Sequence, residues 1–262
     1  MPSVATLSRE LIGKGLTAEI LTWEPGRVLK LFFARLPRAK AELEFQITRA
    51  LHAASCPVPA AYELIDVDGR AGIVLERIEG ASLLKLVERQ PWKLFYAARM
   101  LADLHAQMHQ LTAPPELPTQ RQQLEGWLAR ADDFTAEQRR AAEGSLAVLP
   151  NGDAVCHADF HPDNILLSAR GPIIIDWTSG TRGHPQADVA RTSVLFESAK
   201  LPAESPPHMH LLLVLARRLL HRAYLRRYCA LTRTRVADID CFVPIQRAAT
   251  FALRRELLMQ TP

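Results

Sequence analysis

Cysteine is sparse in this chain. The four that occur, Cys56, Cys156, Cys229 and Cys241, form no CxxC pair and join no His/Cys cluster with zinc spacing. Neither a disulfide framework nor a structural zinc site is therefore expected. No apolar run is long enough to cross a bilayer. Residues Met1 to Lys14 carry charges inside their apolar pattern and lack the core of a secretory leader. Free thiols and a cytoplasmic address are the expectation. Aromatic residues make up 6% of the chain, which gives little material for an aromatic cage around a quaternary ammonium ligand; Trp127, Trp177 and Tyr224 are the candidates. Internal repeats and low-complexity tracts are absent, which excludes a solenoid and a long disordered linker.

What remains is ordinary globular composition. Of 262 residues, 48% are hydrophobic and 23% charged, enough for one large domain or two lobes with a sizeable core. The formal net charge of +4 invites a nucleic-acid partner, but no RNA- or DNA-binding motif accompanies it. A nucleotide phosphate suits the same mild basicity.

The pattern changes near residue 80. Before it, short strands dominate: Glu19 to Trp23, a Glu24-Pro25-Gly26-Arg27 turn, and Val28 to Phe33. Ala41 to Ala54 has helical spacing and is stopped by Pro57 and Pro59. Tyr62 to Val67 and Ala71 to Ile78 form a second hairpin across Asp68-Gly69. Beyond Gly80 the period is helical. Ser82 is a helix cap, Pro91 to Leu111 is a helix, and Thr119 caps a run to about Ala131. Thr135 to Val148, His208 to Tyr228 and Pro244 to Met259 are further helices. Short strands are expected at Val155, Ile165 to Leu167 and Ile173 to Ile175.

One segment carries chemistry: His157-Ala158-Asp159-Phe160-His161-Pro162-Asp163-Asn164-Ile165-Leu166, followed by Ile173-Ile174-Ile175-Asp176-Trp177. A carboxylate and an amide share one loop, and a second carboxylate ends a short apolar strand. Phosphoryl transfer from ATP asks for this set, because its barrier is lowered by positioning and charge neutralisation. Asp159 would orient the incoming hydroxyl and accept its proton. Asn164 and Asp176 would offer hard oxygen ligands to Mg2+.

These two strings resemble the catalytic and metal-binding loops of the aminoglycoside phosphotransferase and choline kinase superfamily, relatives of protein kinases. The resemblance covers about residues 10 to 195 and implies an α+β, two-lobed protein-kinase-like fold. A small antiparallel-sheet lobe would span residues 1–78 and a larger, mostly helical lobe residues 79–262. It implies that Lys30, which strand alternation places on one face with Val28 and Phe32, binds the α- and β-phosphates. Glu44 is its implied partner, with Glu42 a surface residue. Gly13 to Thr17, and within it Gly15 and Thr17, would be the phosphate-covering loop. Val74 to Gly80 would link the lobes, with Glu76 and Ile78 meeting adenine through main-chain atoms. Gly183-His184-Pro185-Gln186-Ala187-Asp188 matches a further family string, in which Asp188 ties the catalytic loop by hydrogen bonds. His157 would orient the same loop. His161 receives no role.

The acceptor is implied only as a small molecule bearing a hydroxyl. From Arg217 to Glu256 there are ten arginines against Asp238, Asp240 and Glu256, which does not suit a polycationic aminoglycoside. Asp132, Asp133 and Glu137 are the candidates for negative charge. The alternative to an active kinase is a nucleotide-binding module of the same fold without catalysis. The presence of Lys30, Asp159, Asn164 and Asp176 together favours activity.

Overall fold

The computed structural model describes residues 9–131, 134–198 and 207–250. The chain opens with β1 (Leu11–Lys14), β2 (Ala18–Thr22) and β3 (Arg27–Phe32), followed by α1 (Arg38–Ala53), β4 (Ala61–Val67) and β5 (Arg70–Glu76). These strands form one antiparallel sheet in the order β1-β2-β3-β5-β4. The β4–β5 turn holds Asp68 and Gly69 at positive φ (51° and 75°), the backbone that an Asp-Gly hairpin turn requires.

Central strand β3 is buried on both faces. Phe32 joins Ala18, Ala41 and Ile73 beneath α1. Leu29 and Leu31 pack with Val74 on the opposite side, under Leu21, Trp23, Ile65 and Val67. Helix α1 serves two cores: Ala41 faces the sheet, whereas Ile47 and Leu51 belong to the large core of the helical lobe.

The crossing between lobes depends on Gly80. A Cβ there would lie 2.1 Å from Leu167 O, and φ is +154°, so only glycine lets the chain pass this closely. Short β6 (Ala81–Ser82) then pairs with β8 (Ile165–Ser168), which pairs with β9 (Gly171–Ile174). A second small ribbon joins β7 (Ala154–Cys156) to β10 (Thr181–Gly183). Around these lie α2 (Leu83–Arg89), α3 (Leu94–Met108), α4 (Gln120–Ala129), α5 (Ala136–Ala147), α6 (Pro185–Ser198), α7 (Pro207–Thr232) and α8 (Val236–Asp240); residues 243–250 are again helical. Ser82, Thr119 and Thr135 cap α2, α4 and α5 with their hydroxyls, Thr135 in a full capping box.

Several expected boundaries move. The expected helix from Pro91 begins as a 3-10 turn over Pro91–Lys93, and α3 proper ends at Met108. Strand β5 stops at Glu76, two residues short of Ile78. Asp132, Asp133 and the part of the expected C-terminal helix beyond residue 250 lie outside the described residues. Among the described residues no helix is long and apolar enough to cross a membrane.

Candidate active site

Alternation along β3 turns Lys30 toward α1, where Glu44 waits. Lys30 Nζ donates to Glu44 Oε1 at 2.7 Å and Oε2 at 2.8 Å, with both side chains buried. It also donates to Asp176 Oδ1 at 2.8 Å. Burial works against the ammonium, but Asp176 and Glu44 outweigh it and hold Lys30 well above the ordinary lysine range. Burial likewise opposes the Asp176 charge; Lys30 and the Thr178 hydroxyl overcome it and hold that carboxyl well below its usual range. Glu44 moves the other way, pushed up by burial and then by the Asp176 charge against the pull of Lys30. Thr178 Oγ1 stands between the two carboxylates, 2.7 Å from Asp176 Oδ1 and 2.8 Å from Glu44 Oε2. Asp176 sits just past β9 with φ of 65°, a left-handed conformation that costs a non-glycine residue about 1–3 kcal/mol.

The 157–164 loop leaves β7 and is fixed at several points. His157 N and Ala158 N donate to the buried Asp188 carboxylate, each at 2.8 Å. Asp159 N donates to His157 Nδ1 at 3.2 Å. His157 Nε2 must then carry the proton that reaches Ile175 O at 3.0 Å. Burial pushes the His157 pKa down, which suits the neutral ring. Arg191 Nε donates to Ala158 O, and Thr192 Oγ1 donates to Phe160 O. Asn164 Nδ2 donates to Asp159 O at 2.9 Å and lies 3.3 Å from Asp159 Oδ2. Ile175 N donates to Asn164 O, joining this loop to the strand that delivers Asp176. From the other side, Ser82 Oγ donates to Asp163 Oδ1 at 2.6 Å.

His161 Nε2 lies 3.6 Å from Asp159 Oδ2. Burial disfavours charge on both, yet each holds the other charged: Asp159 is lowered by His161, and His161 is raised by Asp159.

The fold therefore brings Lys30, Glu44 and Asp176 into direct contact, and Asp159 and Asn164 into one loop beside them. The remaining expected positions lie at the edges. Lys14 belongs to β1, which narrows the expected loop to Gly15, Leu16 and Thr17. Gly15 N is spent on Ala18 O; among the described residues the Leu16 and Thr17 amides have no partner. Glu76 N donates to Ala60 O, and its carboxylate pairs with Arg170 from the β8–β9 turn. The main-chain groups of Ile78 have no hydrogen-bond partner among the described residues. Glu42 pairs with Arg38 on the exposed side of α1. The aromatic candidates for a cage are spent in the core: Trp127, Trp177 and Tyr224 are 5%, 1% and 0% exposed. Trp177 Nε1 donates to Ile174 O.

Thr178, Arg191, His105 and His109 were not singled out by sequence reasoning. Thr178 is two residues past the aspartate but is an ordinary polar residue in a turn. His105 and His109 carried a usable signal, since residues four apart share a helix face, as do Tyr224 and Tyr228.

Residues 11–237 match the family described as Phosphotransferase enzyme family. The chain belongs to that family. An alignment 178 positions long, covering 59% of this chain and 23% of the other protein, is 30% identical to Acyl-CoA dehydrogenase family member 11 of Gallus gallus. Among solved structures, aminoglycoside-3'-phosphotransferase of type VIII superposes with a TM-score of 0.62 at 19% identity, covering 92% of this chain and 93% of that one. Aminoglycoside phosphotransferase APH(4)-Ia gives 0.60 at 15% identity, covering 97% and 94%. At such identities the likeness is one of fold, and the fold is the two-lobed, α+β, kinase-like one. One structure of a thermostable APH(4)-Ia mutant is a ternary complex with AMP-PNP and hygromycin B.

Proposed function

We propose that this protein is an ATP- and Mg2+-dependent kinase that moves the γ-phosphate to a hydroxyl of a small molecule. The observation that carries the reading is the Lys30 ammonium shared between Glu44 and Asp176, which joins the sheet lobe to the helical lobe at one charged point. Lys30, oriented by Glu44, would hold the α- and β-phosphates. The free Leu16 and Thr17 amides, with the unobstructed backbone at Gly15, would cover the phosphates. Glu76 and Ile78 would border adenine, Ile78 through its unspent main-chain groups.

The oxygen set fits magnesium. Asn164 commits its amide nitrogen to Asp159, so Asn164 Oδ1 and Asp176 Oδ2 accept no hydrogen bond from any described residue. Two unspent hard oxygens, one charged and one neutral, are what a small divalent cation prefers. When bound, the ion supplies positive charge against the phosphates.

Asp159 would receive the acceptor hydroxyl. Its Oδ2 faces Asn164 Nδ2 and His161, which leaves Oδ1 for the incoming O–H. Its lowered pKa makes it a weak base, so its main work is to orient the hydroxyl until the bond to phosphorus forms. A loose phosphoryl-transfer transition state asks for little more. The four free cysteines suit a cytoplasmic setting. Arg218, Arg222 and Arg226 lie exposed along α7, a solvated basic face without an evident claim on a polycationic acceptor.

The test is transfer from γ-labelled ATP to aminoglycosides, macrolides, amino alcohols, sugars and nucleosides. One acceptor class should be labelled, and Asp159→Asn should lower the rate by about 10²–10⁴-fold with nucleotide binding retained. A chain that binds no magnesium nucleotide would overturn the reading; one that binds it but labels no acceptor would favour the non-catalytic module.

A further inference from the structure

Asp188, in the first turn of α6, is fully buried and collects four N–H donors. Two are the main-chain amides of His157 and Ala158 already described. The others are His105 Nε2 at 3.1 Å and His109 Nε2 at 3.2 Å, both directed at Oδ2. Oδ2 takes three of the four, the two imidazoles and His157 N, and Oδ1 takes Ala158 N. Because an ionised carboxylate only accepts, each Nε2 must carry the ring proton, and each Nδ1 is then an acceptor. The far side of each ring agrees. Tyr224 Oη lies 2.7 Å from His105 Nδ1, and Tyr228 Oη lies 2.8 Å from His109 Nδ1. Both hydroxyls therefore donate inward. His105 on α3 and His109 at its C-terminal cap, four residues apart, meet residues four apart on α7 in the same sense, so two Tyr-His chains run side by side and converge on one carboxylate oxygen. His105 also stacks on Phe160 of the 157–164 loop, with ring centroids 4.1 Å apart and planes 27° from parallel.

We infer that His105, His109, Tyr224 and Tyr228 form a buried clamp that positions the 157–164 loop through Asp188, so that α3 and α7 set where Asp159 stands. Its kinetic consequence rests on the kinase reading above, whereas its structural consequence does not. The argument is one of constraint. Two adjacent amides, His157 and Ala158, hang on Asp188, and Ala158 has a positive φ of 60°, a conformation the loop adopts only if held. The carboxylate that holds them is aimed by the two imidazoles, and the hydroxyls fix the imidazole tautomers. His105, His109 and Asp188 also have ligand atoms within 4.8 Å of one another, near enough for a cation. That arrangement needs the opposite tautomer, with the Nε2 lone pair on the metal and Nδ1–H donating to tyrosine. The hydrogen-bonded clamp and a metal centre are therefore distinguishable by which nitrogen carries the proton.

The experiment uses the full chain. Imidazole 15N shifts, assigned with His105→Gln and His109→Gln, should report neutral rings protonated at Nε2, and the purified protein should hold no stoichiometric zinc. His105→Leu should speed amide exchange across residues 157–160 by about tenfold or more. It should lower kcat about 10–100-fold with the ATP KM within about twofold, since displacement of a reacting group by about 1 Å costs that much. His105→Gln, which keeps a donor toward Asp188, should restore most of both. If His105→Leu fails to fold, Tyr224→Phe and Tyr228→Phe remove one hydroxyl each, and the same exchange should rise about severalfold. Rings unprotonated at Nε2, stoichiometric zinc, or unchanged exchange in a folded His105→Leu protein would each overturn the clamp. A wild-type protein without transferase activity would count against the kinase reading, and the ring shifts and exchange would still decide the clamp.

Discussion

Lys30 Nζ and Asp176 Oδ1 are 2.8 Å apart across 146 residues of chain. Glu44 holds the same ammonium from α1, so one cation ties three separate segments. Truncating a buried charge while its partner remains costs far more than losing the pair is worth. Lys30→Met should therefore destabilise the protein by about 3–5 kcal/mol. Lys30→Met combined with Glu44→Gln should recover part of that loss, because the stranded carboxylate goes with it. Urea unfolding of both variants measures the difference, and equal stabilities would refute a strongly coupled pair.

His105 gives a pH dependence with a definite sign. Burial, with the neighbouring His109 adding to it, lowers its pKa to about 3 against the pull of Asp188. Between about pH 6.5, where an unfolded histidine takes up its proton, and about 3, the unfolded chain binds a proton that the folded chain refuses. Stability must fall as pH falls through that window, by at most about 1.4 kcal/mol per pH unit for this group. His105→Gln should flatten the profile by about one proton over that window. Superimposable slopes in pH-resolved urea titrations would show that His105 is not held neutral.

Much of this site could be read beforehand because its chemistry is local. Asp159 and Asn164 share a loop, Asp176 closes an apolar strand, and the face of Lys30 follows from alternation. Glu44 follows from the family resemblance, which selects it over Glu42 on the same helix. What escaped depends on distant partners. Strands β6 and β10 are two and three residues long and exist only because β8 and β7 lie beside them. Helix α6 hid for another reason: Asp188, Arg191, Thr192 and Ser193 are buried along with Ala187, Val189, Ala190 and Val194, so no polar face marks its period. The imidazole partners of Asp188 escaped likewise, since nothing local connects His105 to Tyr224.

Thr178 makes a narrower point about the charged cluster. Its one hydroxyl proton lies between Asp176 and Glu44, both of which face Lys30. Valine keeps the shape and removes that proton. Thr178→Val should cost about 1.5–3 kcal/mol, the range for a hydrogen bond to a charged group, and should loosen magnesium-nucleotide binding by disordering Asp176. Calorimetric binding and thermal unfolding on one preparation would check both; a variant with wild-type stability and affinity would leave Thr178 without a role in the cluster.

Two glycines separate backbone necessity from backbone tolerance. Gly144 lies exposed inside α5, with nothing within 4 Å of an added Cβ. Gly144→Ala should stabilise the protein by about 0.5–1 kcal/mol, the helix-interior difference between the two residues. Gly80 has no such room. Its Cβ would fall 2.1 Å from Leu167 O and 2.7 Å from Leu167 C, both backbone atoms of β8 that cannot swing aside. Relief requires β6 and β8 to part, and with them the crossing that carries the chain from the sheet lobe into the helical lobe. Gly80→Ala should therefore lower stability by more than about 3 kcal/mol, the scale of a severe backbone clash, and, under the proposed function, weaken nucleotide binding beside the neighbouring Ile78. Paired thermal melts of the two alanine variants give the test. Opposite shifts are expected, and a neutral Gly80→Ala would mean that the close approach to Leu167 is not obligatory.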